Sequence, residues 1–180
     1  FSGLDVHLRE RLQEETAALL RESRTTTIIV THDPEEAMRL ADRIAVMRHG
    51  RLIQVGAARE LHQSPADLLI ARLFSEINEI PWTAEAGALK TPLGNFAARG
   101  IGDGERAVLC IRQGAVELVA RSETGTPAQV VRVRLLGDFA AIELAVPGFE
   151  APIRARIPSE KAPVPGSETG VRVDPRRALV

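Results

Sequence analysis

The stretch Ile28-Ile29-Val30-Thr31-His32-Asp33 decides how the first half of the chain is interpreted. Its run of apolar, β-branched residues predicts a short strand over 27–30, of the buried kind found in parallel sheets. The Thr-His-Asp that follows marks a switch from strand to helix. His32 therefore falls at the carboxyl end of a predicted strand, which is where α/β proteins bind their ligands.

Local signals predict the elements on both sides of this stretch. Asp33 has the residue type of an N-cap, and Pro34 suits the first helical position that follows it. The pair His49-Gly50 between two apolar runs is typical of a two-residue hairpin loop. The predicted elements are helices from Asp5 to about Ser23, from Pro34 to about Leu40, over 58–62 and over 65–74, and strands over 43–48 and 51–55.

From about Ile80 the pattern changes to short alternating segments that are separated by Gly and Pro. Val131, Val133 and Leu135 alternate with two arginines, which predicts a strand with one wet face. Many short strands without helices favour a small barrel or sandwich. The predicted strands of this half cover residues 88–92, 107–112, 128–136, 140–146, 153–157 and 170–173.

Composition excludes several function classes. The net charge is −1 and only six of the 180 residues are aromatic, which argues against nucleic-acid binding, since phosphate contacts need basic residues and single strands stack on aromatic faces. The single Cys110 allows no internal disulfide. No apolar run reaches the ~20 residues that a membrane-spanning helix needs, so membrane association is expected only through a partner. The four histidines and one cysteine show no metal-ligand spacing, and no metal site is predicted.

The chemistry of an imidazole suits His32 to phosphate binding. A neutral imidazole donates one hydrogen bond and accepts another, and its ordinary pKa lies near neutral pH. In phosphoryl transfer the protein mainly positions groups and stabilises charge, so one oriented donor matters. The alternative is a histidine that is simply hydrogen-bonded at the end of a strand.

Motifs around His32 resemble the import-type ATPases of ABC transporters over nearly all of residues 1–80. Ser2-Gly3-Leu4-Asp5 resembles the D-loop of that family and ends 27 residues before His32. The matching segments after the histidine are Glu35-Glu36-Ala37, Ala41-Asp42-Arg43-Ile44, Gly50-Arg51-Leu52 and Gln54-Val55-Gly56.

The resemblance implies a role for each motif residue. His32 is the switch residue, which contacts the γ-phosphate of ATP and helps to hold the attacking water. Ser2 and Asp5 belong to the nucleotide site, and Asp5 couples the two sites of an ATPase dimer, although it also suits a plain helix N-cap. The cofactor implied for the intact protein is MgATP.

The chain contains no Gly-x-x-x-x-Gly-Lys-[Ser/Thr] loop, and no Gly-Lys dipeptide occurs in it. The Gly-rich signature loop and the Walker B acidic residues are also missing. By this resemblance residues 1–79 are an α/β fragment, the C-terminal part of an ABC ATPase domain. We expect the fragment alone to bind no nucleotide tightly and to be inactive, while the intact parent is an ATPase coupled to transport.

Residues 80–180 resemble the TOBE regulatory domain, an all-β OB-type barrel that many import ATPases carry. Cys110-Ile111-Arg112-Gln113 is similar to the Ile-Arg-Pro-Glu-like box of that domain, with Gln113 in place of the usual proline. Leu136-Gly137-Asp138 and Gly170-Val171-Arg172-Val173 fit the same pattern. Since such domains commonly contact their twin, a homodimer that forms partly through residues 81–180 is expected.

The cargo that the resemblance favours is iron(III). Phe74–Pro81 and Thr91–Gly94 look most like the iron importers, while polyamine, thiamine, phosphonate and sulfate importers share much of the pattern. The implied partners are a membrane permease and, indirectly, a substrate-binding protein, with the ATPase at the cytoplasmic face of the membrane. A different hypothesis is a small-molecule or oxyanion sensor whose donors are Arg112, Arg132, Arg134, Arg154 and Arg156.

Overall fold

The computed structural model describes residues 6–120 and 124–180. The chain divides between Ser75 and Glu76 into two compact units, called here the N-terminal and the C-terminal unit. The boundary drawn from the sequence, between residues 79 and 80, falls inside a strand that runs over Ile77–Thr83. None of the helices in the described part of the chain is long and apolar enough to cross a membrane.

The N-terminal unit contains four helices and one β-hairpin. The helices are α1 (Val6–Ser23), α2 (Pro34–Leu40), α3 (Ala58–Gln63) and α4 (Leu68–Phe74), and the strands are β1 (Ile44–Arg48) and β2 (Arg51–Gly56). Its core is formed by Ile44, Leu61, Ile70 and Phe74. The hairpin prediction is confirmed, because His49 and Gly50 both have positive φ, as a type I′ turn requires.

The predicted strand over 27–30 is wrong for the described chain. Residues 25–31 have no regular secondary structure, and Ile28 and Val30 are 89% and 94% exposed. A parallel strand needs neighbours on which to make its hydrogen bonds and bury its side chains. Among the described residues of this unit, the only sheet is the β1–β2 hairpin, and it does not pair with this stretch.

The last helix of the unit begins three residues later than predicted. Gln54 holds the residues just before α4 in a non-helical form. Its side chain donates to Ser64 O at 3.0 Å and accepts from Ala66 N at 2.8 Å. Asp67 then caps α4, because its carboxylate accepts from Ile70 N at 2.9 Å. Ser64-Pro65 is therefore not the start of the helix.

The C-terminal unit is built from antiparallel strands, as predicted for an all-β domain. A five-stranded sheet has the order β10-β9-β8-β11-β7, a three-stranded sheet has the order β12-β6-β3, and β4 pairs with β5. The strands are β3 (Ile77–Thr83), β4 (Ala88–Thr91), β5 (Gly94–Ala97), β6 (Arg106–Arg112), β7 (Val116–Val119), β8 (Thr126–Leu136), β9 (Phe139–Ala145), β10 (Ile153–Pro158), β11 (Glu168–Val173) and β12 (Ala178–Leu179).

A single apolar core holds the C-terminal unit together. Leu89, Phe96, Leu109, Ile142 and Leu144 are among its fully buried members. All six strands predicted for this half are present. The sequence did not indicate β3, β5, β7 or β12, which are short or carry a proline.

A bulge changes the predicted alternation in β8. The pairing with β9 shifts between Val130 and Arg132, so an extra residue enters one strand and the faces exchange. Val130 is 1% exposed, whereas Val131 is 51% exposed and Leu135 is 66% exposed. Of the three apolar residues expected on the buried face, only Val133 packs against the core.

Candidate functional site

Two side chains of the Thr31–Asp33 turn fix the main chain on either side of His32. The Asp33 carboxylate accepts from Glu35 N at 2.9 Å and Glu36 N at 3.3 Å, which confirms Asp33 as the N-cap of α2. The hydroxyl of Thr31 accepts from Asp33 N at 3.0 Å. The same hydroxyl donates to the carboxylate of Glu36. The turn is therefore held from both flanks without any bond to the imidazole.

The side chain of His32 is exposed at this turn. Within residues 6–120 and 124–180 it makes no hydrogen bond or ion pair, so both ring nitrogens are available. One of them can donate to an anionic oxygen while the other accepts from water or a main-chain N–H. The arrangement can therefore hold a phosphate oxygen.

The other predicted members of the site cannot be placed. Ser2 and Asp5 lie outside the described residues. No group of three or more His, Cys, Asp or Glu that could hold a metal ion occurs in the part of the chain that the structure describes.

The exposed segment before His32 has the composition of a buried strand. Ile28 and Val30 are both β-branched and almost fully exposed. Isolated exposed apolar residues are common, but an extended run of them typically marks a surface that another part of a protein covers. This run leads directly into the histidine.

In the C-terminal unit, Asn78 joins the two sheets. Its side-chain amide donates to Ile111 O at 3.2 Å and to Arg154 O at 2.8 Å. Its side-chain oxygen accepts from Arg154 N at 2.7 Å. Asn78 thus pairs with the main chain of β10 as a further strand would, and it is buried. Sequence reasoning missed it, because its partners are 33 and 76 residues away.

Four of the five arginines considered as anion donors share one face of the five-stranded sheet. The pairing places Arg132 and Arg154 on either side of Glu143, and Arg134 and Arg156 on either side of Ala141. Arg156 is already engaged, because it pairs with Glu76 at 3.2 Å and lies over the ring of Phe139, 3.4 Å from its centroid.

The fifth arginine, Arg112, lies on β6 in the other sheet. Its side chain donates to Arg177 O at 3.4 Å. Burial and the neighbouring charge of Arg177 lower the pKa of Arg112. The sequence-based set of five arginines therefore does not form one site.

Comparison with known protein families identifies the class of domain in the C-terminal half of the chain. Residues 109–180 match the TOBE domain family. That range begins in β6 and includes the whole five-stranded sheet and β12. The prediction of a TOBE domain in the C-terminal half is confirmed.

Curated relatives extend the likeness to the whole chain. An Fe(3+) ions import ATP-binding protein of Rhodococcus jostii is 33% identical over 96% of this chain and 51% of its own length. One of Streptomyces avermitilis is 36% identical over 95% of this chain and 49% of its own length. A sulfate/thiosulfate import ATP-binding protein of Bordetella parapertussis is 33% identical over 100% of this chain and 52% of its own length.

The chain therefore belongs with the ATP-binding subunits of ABC importers, as its motifs indicate. It spans about half the length of the curated relatives it matches. A solved structure of the cytoplasmic molybdate-binding protein ModG with molybdate bound aligns with 57% of this chain and 93% of its own, at 14% identity and a TM-score of 0.46. That likeness is too low to carry an argument about fold or ligand.

Proposed function

We propose that this chain forms part of the ATP-hydrolysing subunit of a bacterial ABC importer, which powers transport through a membrane permease. The observation that carries the proposal is the Thr31–Asp33 turn. It presents an exposed imidazole on a main chain that is fixed by its two neighbours. The relatives are all named as import ATP-binding proteins, which supports the same conclusion.

His32 acts in this proposal as a phosphate contact. Its imidazole donates to an oxygen of the terminal phosphate of ATP and so orients the group that is transferred. Magnesium, when bound with ATP, neutralises charge on the phosphates. Its ligands and the phosphate-binding loop have no counterpart in this sequence, so the 180-residue chain alone binds no MgATP tightly. Ser2 and Asp5 complete the site across an ATPase dimer.

The exposure of Ile28 and Val30 supports an incomplete α/β layer in the N-terminal unit. In the proposal, residues 27–30 become a central strand once neighbouring strands pair with them. Burying one such side chain stabilises by about 1.5–3 kcal/mol, which favours this association. His32 then lies at the carboxyl end of that strand, next to the bound nucleotide.

Iron(III) is the cargo we propose, with sulfate or thiosulfate as the second choice. Relatives named for both cargoes match this chain with similar identity. The stretch Phe74–Pro81, which favoured iron on sequence, contains the joint residue Asn78. In this chain, that stretch therefore also serves the joint between the two sheets.

The partners in this proposal are a second copy, two permease subunits and, indirectly, a substrate-binding protein. The two copies enclose two MgATP and associate partly through the C-terminal unit. The complex lies at the cytoplasmic face of the membrane. The charge of −1 supports no nucleic-acid partner.

A chimaeric protein tests the proposal. The N-terminal half of the Streptomyces avermitilis relative is joined to Phe1, and phosphate release from MgATP is measured. We expect hydrolysis, and we expect His32→Ala to reduce kcat about 100-fold or more, in the range typical of a lost catalytic contact. His49→Asn, which changes an exposed histidine of the hairpin turn to a residue that tolerates positive φ, is the matched control. Full activity of His32→Ala contradicts the assigned role.

The sensor hypothesis is the second candidate, and the four arginines on one sheet face favour it. However, Arg134 and Arg156 lie two strands apart, roughly 10 Å between main chains, and Arg156 is held by Glu76. Arg132 is likewise paired, with Glu143, so two of the four guanidinium groups already have an acidic partner. Calorimetric titration with molybdate, sulfate, phosphate and iron chelates decides the matter, since heat of binding from any of them revives the hypothesis.

A further inference from the structure

The second half of β8 has an unpaired edge. β11 pairs with β8 only over Thr126–Gln129. The last hydrogen bonds on that side are Val130 N to Ser167 O at 2.9 Å and Gly166 N to Val130 O at 2.7 Å. Beyond Val130, Val131 is the extra residue of the bulge and residues 132–136 pair with β9 alone. This segment, called here the β8 edge, has no strand beside it among the residues that the structure describes.

The pairing register shows which main-chain groups point away from the sheet. In antiparallel strands, residues alternate between facing one neighbour and facing the other. The main chain of Arg154 faces Asn78 and therefore points away from β9. Followed through the register of β10, β9 and β8, this alternation directs the N–H and C=O groups of Val133 and Leu135 outward. The β8 edge thus offers two donors and two acceptors.

The side chains of the β8 edge differ between its two faces. On the face that continues the core, Val133 is partly buried and Leu135 is 66% exposed. On the opposite face lie Arg132 and Arg134. Arg132 pairs with Glu143 at a distance of 3.9 Å, and its own side chain is 62% exposed. Within the described residues, Arg134 has no acidic partner.

We propose that the β8 edge binds an extended segment of a partner protein, in which apolar residues alternate with acidic ones. Such a segment adds a sixth strand to the sheet. Its main chain pairs with Val133 and Leu135, its apolar side chains cover Leu135, and its carboxylates face Arg132 and Arg134. Cross-strand pairs of opposite charge are favourable, whereas like charges directly opposite each other are not.

A second copy of this chain is a poor occupant of the same edge. Antiparallel pairing of two β8 strands about Val133 places Arg132 of one copy opposite Arg134 of the other. This pairing brings two arginines together at two places on the same face of the sheet. Bulges and charged side chains at a sheet edge prevent edge strands from associating with copies of themselves. The β8 edge has both.

Peptide titration of the 180-residue chain tests the proposal. The probe is an acetylated, amidated heptapeptide of alternating valine and glutamate, and binding is followed by amide chemical shifts in NMR. We expect saturable changes centred on residues 131–136. Leu135→Pro removes an outward donor at an edge position that tolerates proline, and Arg134→Glu reverses the charge. Each is expected to weaken binding about fivefold or more, as the loss of one hydrogen bond or of cross-strand charge pairs implies.

Two controls make the result decisive. Arg99→Glu makes the same charge change at an exposed arginine in a loop and should leave the affinity unchanged. The valine–lysine version of the heptapeptide should not bind. Because Leu135→Pro could unfold the sheet, its amide spectrum is compared with that of the unmodified chain, and Arg134→Glu tests the edge independently.

The proposal is overturned if the acidic peptide produces no shifts in residues 131–136, or if Arg134→Glu binds it as well as the unmodified chain does. It is also overturned if sedimentation shows a dimer that Leu135→Pro dissociates, since a second copy would then occupy the edge.

Discussion

Replacement of Asn78 by leucine should destabilise the C-terminal unit strongly. The change keeps the number and branching of the non-hydrogen atoms of the side chain but removes all three of its hydrogen bonds. The two bonds to Arg154, of 2.7 and 2.8 Å, join the two sheets, and the bond to Ile111, of 3.2 Å, lies within the three-stranded sheet. The substitution leaves Arg154 N, Arg154 O and Ile111 O without their partner at a buried position. An unsatisfied buried polar group costs about 1–3 kcal/mol, and partial access of water lowers that cost. We expect a loss of about 2–4 kcal/mol in the free energy of unfolding.

The single tryptophan makes this loss measurable. Trp82 lies on β3, four residues after Asn78, and packs against Phe149 with ring centroids 5.6 Å apart, so its fluorescence reports the unfolding of this unit in urea. Asn95→Leu, at an exposed position of β5, is the matched control and should change the free energy by less than about 0.5 kcal/mol. If Asn78→Leu is as stable as the control, the side-chain hydrogen bonds of Asn78 do not hold the two sheets together and our reasoning is refuted.

Two further predictions concern the same unit. Gly170→Ala should lower the free energy of unfolding by about 1–3 kcal/mol in the Trp82 fluorescence assay, because an added Cβ lies 2.8 Å from the side chain of Val119. Gly114→Ala places its Cβ in open space and should be near neutral. Equal losses at the two positions would contradict this reasoning. The side-chain hydrogen bond from Arg176 lowers the pKa of Asp174 below its ordinary value of 3.8, so its stabilising effect is present above pH 3.8 and is lost as the pH falls through the lowered pKa. An NMR titration of the Asp174 carboxyl should show the lowered pKa and a partial return toward the ordinary value in Arg176→Ala, since the main-chain hydrogen bond from residue 176 remains. An unchanged pKa in that variant would exclude the side-chain pair as the cause.

Local signals in the sequence were sufficient for elements that depend on neighbouring residues. Asp33 followed by Pro34 correctly predicted the start of α2, and His49-Gly50 correctly predicted the hairpin. Each of these features is decided by one or two residues and the hydrogen bonds of a single turn. The same holds for the TOBE domain, because its strands are separated by regular turn residues.

The features that the sequence did not reveal depend on distant contacts. The joint made by Asn78 requires β10, 76 residues away, and the bulge in β8 depends on its register with β9. The prediction of a strand over 27–30 was also wrong because of distant contacts. The composition of this stretch suits a strand, but no strand pairs with it among the described residues. The proposed phosphate contact of His32 likewise depends on groups that the described residues do not include.

The Thr31–Asp33 turn has one more consequence. Since its hydrogen bonds come from the residues on either side, the side chain at position 32 can be exchanged without altering the path of the main chain. A cysteine placed at this position and labelled with a fluorophore would retain the local geometry and report directly on whatever approaches the start of α2.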